Sequence, residues 1–189
     1  MKNLIVATPP AEYAVTRAEA SLFMRYTGSL QNDVIDSLII AAQKYCELWI
    51  NRAVVSTTYE YYFDNFSTEM CLPIGNSTSI TSIYYKNQSD SYTLLSTDVY
   101  QLDNKSLINK IINKYNQEFP EIDTVPNAVK VTFVAGWANA AAVPASIKTA
   151  IKIMVAQMFE HREGLTINEL KENPTLKQLL ATYATYQGV

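Results

Sequence analysis

Apolar and polar positions alternate with two different periods along this chain, and the period changes twice. Between Asp33 and Asn51, Val34, Ile35, Leu38, Ile39, Ala42, Cys46 and Trp49 recur every three or four residues, which marks one face of a helix. Asn32 or Asp33 supplies a polar N-cap, and Asn51 a stop that tolerates the left-handed conformation. A shorter helix precedes it. Thr16-Arg17-Ala18-Glu19 has the spacing of a capping box, so a helix is predicted from there to about Tyr26, ended by Thr27-Gly28.

From Val55 the helical period disappears. VSTTYEYYF, Val55 to Phe63, is rich in β-branched and aromatic residues, as strands are. Further runs of this kind lie at Glu69–Leu72, Ser79–Lys86, Tyr92–Leu95, Val99–Leu102, Leu107–Ile112 and Ala128–Ala135, separated by Asn, Asp, Ser, Gly or Pro. Their close spacing favours antiparallel pairing, because parallel strands need long crossovers. The helical period then returns. Pro144 suits a first helical turn, Ile147, Ile151, Met154, Val155, Met158 and Phe159 form a stripe, and Gly164 is placed as the closing C′ glycine. A last helix is predicted from Pro174 to about Tyr186, with Leu176, Leu179, Leu180 and Tyr183 on one side.

Strands grouped between helices indicate an α+β fold rather than α/β. The expectation is a small bundle built from the N- and C-terminal helices, residues 15–53 and 144–187, with an antiparallel β-rich subdomain inserted at about residues 54–136. The 189 residues suit one such domain, and the 48% hydrophobic content excludes a disordered chain.

Charge and candidate chemistry change this picture little. The net charge is −3 with the basic residues scattered, which argues against a protein whose affinity rests on phosphate contacts. A DNA-binding module would have to use Arg17, Arg25 and Arg52 around the N-terminal helix pair. Cys46 and Cys71 fit no CxxC or metal spacing and read as structural thiols. MKNLIVATPP has too short an apolar run for a signal peptide, and no segment has the length of a membrane span, so a cytoplasmic site of synthesis is expected.

The only histidine, His161, lies in Glu160-His161-Arg162-Glu163, which is not HExxH. It could serve as a general base, but its place in a last helical turn suits a helix-end residue. Glu118, Glu121 and Asp123 lie among prolines without the glycine pivot of a calcium loop and read as a solvated loop. Asp33 and Asp36 read as cap and dipole residues. Neither a GxSxG elbow nor a glycine-rich phosphate loop is present. Thus no enzyme, cofactor or metal site is expected. The Ala135-Gly136-Trp137 turn reads as a tight backbone turn with the indole as a packing anchor, with a ligand-stacking role as the alternative. Thirteen tyrosines are many, and Tyr59, Tyr61, Tyr62, Tyr84, Tyr85, Tyr92 and Tyr100 concentrate among the strands, where alternation must leave some exposed or at an interface.

Taken in order, these pieces resemble the head–tail connector (adaptor, head-completion) proteins of tailed bacteriophages, in the longer form with a β-rich insertion. The likeness runs through VTRAEASLFMRY with Thr16 and Glu19, and through the second helix ending at Arg52. It continues in the proline-led strand and hairpins from Leu72 to Asp103, and in AVKVTFVAGWANAAAVPASIKTAIKIMVAQMFEHREG with Gly136, Trp137 and Pro144. Asn51 stands where the family often has glycine, and it tolerates the same backbone.

The resemblance implies a structural role in the neck of a virion made in a bacterial host. Copies would form a ring, commonly of about twelve, beneath the portal protein, extend the DNA channel and carry the head-closure or tail proteins. DNA would pass without sequence-specific contact. On this reading Leu176, Leu179, Leu180 and Tyr183 are candidate portal anchors. Tyr61, Tyr85 and Tyr92 are candidate contacts to neighbouring copies or the next ring.

Overall fold

The computed structural model describes residues 3–87, 91–106, 108–122, 125–161 and 174–185 and is an α+β fold of two compact units. Residues 11–55 and those from 137 onward make a helical unit. Residues up to 10 join residues 56–136 in a sheet unit.

The helical unit holds α1 (Arg17–Met24), α2 (Asn32–Ile50), α3 (Ala145–Glu160) and α4 (Pro174–Ala181). The capping box at α1 forms as its spacing predicts: the Glu19 N–H donates to Thr16 Oγ1 at 3.2 Å and the Thr16 N–H to Glu19 Oε2 at 2.8 Å. α2 begins after Gln31, which makes no side-chain cap, rather than after Asn32 or Asp33. It ends where Asn51 turns left-handed at φ 52°, as the sequence indicates. Pro144 is the residue just before α3, and α3 ends at Glu160 with His161 as its C-cap. The predicted stop at Gly164 lies outside the described residues.

Ile35, Ile39, Ala42, Cys46 and Ile50 of α2 meet Ile147, Ala150, Ile151, Met154 and Val155 of α3, with Ala20 of α1 and Leu176 and Leu180 of α4 closing the core. Val34, which the apolar stripe places on the buried face, is instead exposed, because it stands at the edge of that stripe in the first turn.

Two polar side chains sit inside this core one helical turn apart on α2. Gln43 Oε1 accepts the Ala14 N–H at 2.9 Å, and Gln43 Nε2 donates to Glu47 Oε1 at 3.2 Å. The same carboxylate oxygen accepts the Val54 N–H at 3.1 Å, while Glu47 Oε2 takes Lys44 Nζ at 2.8 Å. Ala14 precedes α1 and Val54 follows α2. Their amides lie outside any helix or strand and would otherwise be buried without partners.

Among the described residues the sheet unit contains eight strands: β1 (Leu4–Thr8), β2 (Thr57–Phe63), β3 (Glu69–Cys71), β4 (Ser77–Lys86), β5 (Tyr92–Leu94), β6 (Tyr100–Asp103), β7 (Lys110–Asn113) and β8 (Val129–Ala135). Every pairing is antiparallel. One sheet runs β1-β2-β8-β4-β5 and a second β3-β7-β6. β8 lies at the centre of the first sheet and shows period-two burial: Val129, Val131, Phe133 and Ala135 point inward, with Phe133 stacked on Tyr59 at 5.7 Å. β1 is absent from the sequence reading, which saw only a short apolar run. It pairs with β2 from Leu4↔Tyr61 to Thr8↔Thr58, with a register shift between Val6 and Thr8.

Truncating Glu47 to Ala strips Val54 N–H and Gln43 Nε2 of a buried acceptor, so Glu47→Ala should lose about 1–3 kcal/mol for each group left unpaired. Glu47→Gln keeps one acceptor oxygen and should lose less. Urea unfolding of the two variants beside the parent chain measures the difference.

Candidate interaction surfaces

His161 is exposed at the C-cap of α3, where its backbone N–H donates to Gln157 O at 2.9 Å. Arg162, Glu163 and Asp123 lie outside the described residues, and Glu118 and Glu121 are exposed. Among the described residues no three His, Cys, Asp or Glu side chains stand together as a metal site. Burial pushes the Cys46 thiol up to about 12, so it packs as a small hydrophobe, and Cys71 is an exposed free thiol. No described helix is long and apolar enough to cross a membrane.

The three arginines of the N-terminal helix pair are differently engaged. Arg17 forms a two-pronged ion pair with Asp36, its Nε at 2.7 Å from Oδ1. Arg25 is the left-handed C-cap of α1. Arg52 is partly buried just past α2. Its Nε meets no acceptor among the described residues, and burial pulls its pKa down. Arg17 is thus already paired with a carboxylate.

The residues of the connector-like pattern occupy joints of the backbone. Gly136, at φ 114°, adopts a conformation that disfavours a side chain, and its N–H donates to Asn76 O at 2.9 Å. Trp137 donates its N–H to Val54 O at 3.1 Å and meets Tyr183 edge-on at 6.1 Å, so the indole is a packing anchor.

The candidate portal anchors lie on or just after α4. Leu176 and Leu180 are core residues of the helical unit, and Leu179 and Tyr183 pack partly buried against that core. Their apolar stripe packs α4 onto the unit, with Leu176 and Leu180 buried.

The tyrosines divide between the faces of the five-stranded sheet. Tyr61 lies on the side of the buried β2 positions and meets Phe63 edge-on at 4.7 Å. Tyr85 faces Phe66, whose ring in turn stacks on Phe119 at 4.7 Å. Tyr61 and Tyr85 are thus half-buried, and Tyr92 is the exposed one of the three, at 43%.

The opposite face carries a group that sequence reasoning did not assemble. Across neighbouring strands, Tyr62, Lys130, Tyr84 and Leu94 stand in register. Lys130 Nζ lies 5.1 Å from the Tyr84 ring centre, 5.8 Å from that of Tyr92 and 3.9 Å from Glu60. Tyr62 donates its hydroxyl to Glu60 Oε2 at 3.1 Å, and Tyr92 donates to Asn127 O at 2.8 Å. The signal lay in VKVTFVA, where Lys130 is the one charged residue, at an outward position, but its partners come from three other strands.

No protein-family model matches the sequence, and no curated protein matches it. Solved structures share its fold over nearly the whole chain. A chain from the neck of an empty gene transfer agent (GTA) particle, computed with C6 symmetry, has a TM-score of 0.81 at 18% identity, covering 98% of this chain and 97% of that one. A chain from the virion of a native GTA particle has a TM-score of 0.78, again at 18% identity, covering 98% and 97%. One from the neck of a native GTA particle computed with C12 symmetry has a TM-score of 0.72 at 17%, covering 96% and 97%.

Two outcomes follow for the residues placed above. Leu180→Ala should lose about 2–5 kcal/mol in urea unfolding, the range of a buried leucine truncation, whereas a surface anchor would lose almost nothing. The Thr16 N–H, donated to its carboxylate, holds Glu19 below its ordinary pKa, with Lys148 and Lys152 adding to the effect. A depressed carboxyl contributes stability at neutral pH that is lost as pH falls through its folded value. Against Glu19→Gln, the parent chain should therefore keep an advantage at pH 7 that shrinks on acidification through the carboxylate range, read by thermal melts across pH.

Proposed function

We propose that this chain is a structural neck protein of a tailed-phage-like particle, a head–tail connector of the adaptor type. One observation carries the reading: the fold likeness to a GTA neck chain extends over 98% of this chain and 97% of that one, so the insertion and both helical segments are included. The sequence pattern supports the same reading independently, through the order of its capping box, strand block and Gly136-Trp137 turn.

On this reading copies of the chain stand in a ring beneath the portal protein, extend the DNA channel and present a platform to head-closure or tail proteins. The sixfold and twelvefold symmetries used for the similar necks support a ring of about twelve copies. Rotationally repeated contacts between unlike patches close such a ring without a twofold axis. The mild net charge of −3 suits a channel wall that DNA slides past, since a basic lumen would hold the phosphates. A packaging-associated DNA binder built on the N-terminal helix pair has less support, because Arg17 is paired with Asp36.

Electron microscopy of the chain mixed with the portal protein of the same genome tests the reading. The expected image is a coaxial extra ring at the narrow end of the portal. A portal that stays bare at high concentration of the chain overturns it.

A further inference from the structure

Both edges of the five-stranded sheet end in short, uncharged strands that expose apolar side chains. At one edge β1 pairs, among the described residues, on one side only, with β2. Four of its five residues are exposed, Ile5 at 50% and Val6 at 43%. At the other edge β5 pairs with β4, and Leu94 is 57% and Tyr92 43% exposed. Natural edge strands are normally guarded by charge or by an internal proline. Neither LIVAT nor YTL contains a charged residue or a proline; β1 is interrupted by the register shift after Val6, and β5 is guarded only by its three-residue length.

The two edges match each other. Before its register shift β1 offers the regular positions Leu4–Val6, and β5 offers Tyr92–Leu94; seating Ile5 beside Leu94 sets Leu4 beside Thr93. Ile5 stands beside Glu60 and Leu94 beside Tyr84, and Glu60 and Tyr84 both reach Lys130, so Ile5 and Leu94 lie on the same face of the sheet. Every neighbouring pair in the order β1-β2-β8-β4-β5 is antiparallel, which makes β1 and β5 run in the same direction. A copy placed alongside by a modest rotation about a ring axis therefore presents its β5 to the β1 of its neighbour in parallel sense.

Resting on the ring reading above, we infer that β1 of each copy pairs with β5 of the next, joining the five-stranded sheets around the ring. The contact is between unlike edges, so it leaves each copy with one donor edge and one acceptor edge and closes only when the ring is complete. Ile5 and Leu94 become covered on one face of the joined sheet.

The test is cysteine cross-linking of the ring assembled on the portal, in a Cys71→Ser background. Adjacent strands bring Cα atoms to within about 4.4–6.8 Å, the span of a disulfide. The double variant Ile5→Cys with Leu94→Cys should give, on oxidation, a ladder of covalent multimers extending to the full ring. Either cysteine alone should give monomers. In a second arm, Ile5→Lys with Val6→Lys guards the edge at exposed positions. The chain should remain folded by circular dichroism but fail to add a ring to the portal. A ring visible by electron microscopy without the ladder, or one formed by the lysine variant as readily as by the parent chain, overturns the edge pairing and leaves the neck reading standing. Dimers from Ile5→Cys alone would replace it with a twofold pairing of two β1 strands. Failure of the parent chain to form any ring overturns both.

Discussion

Two buried polar residues, Gln43 and Glu47, fix where the backbone enters and leaves the core of the helical unit. They stand a turn apart on α2, and between them they accept the Ala14 N–H before α1 and the Val54 N–H after α2. An all-apolar α2 would pack as well against Ile147, Ile151 and Met154, but it would leave those two amides buried and unpaired. The hydrogen-bond chain lets the backbone enter and leave the core at fixed places.

Much of this fold is legible in the sequence because its signals are local. The capping box at Thr16 and Glu19, the left-handed stop at Asn51 and the period-two burial of β8 each depend on residues a few positions apart. What escaped is non-local. LIVAT is a strand only because β2, some fifty residues on, offers Tyr61 to Leu4. The stripe Leu176, Leu179, Leu180 shows that α4 has an apolar side, but an apolar side fits a core and a partner surface equally well, and the structure assigns it to the core. The Lys130 cluster draws on β2, β4, β5 and β8, and no window of the sequence contains it.

The contrast between a sequence that matches no family model and a fold that matches over nearly its whole length has a physical basis. Core positions accept many combinations of apolar residues provided that volume and patterning are kept.

The interrupted order of the helical unit has a consequence for how it is reached from the unfolded chain. Its two segments are separated by the whole of residues 56–136, and loop closure costs entropy that grows with the logarithm of the span. The sheet segment removes most of that cost. β2 and β8 run antiparallel with Thr57 opposite Ala135, so their pairing draws the ends of the intervening stretch together. Once it has formed, Val55 and Trp137, which bridge within the helical unit, are joined by what is effectively a short connection. The insertion then acts as an internal staple for the bundle. A weakened β2–β8 ladder would slow the formation of helix contacts in which none of its own residues takes part.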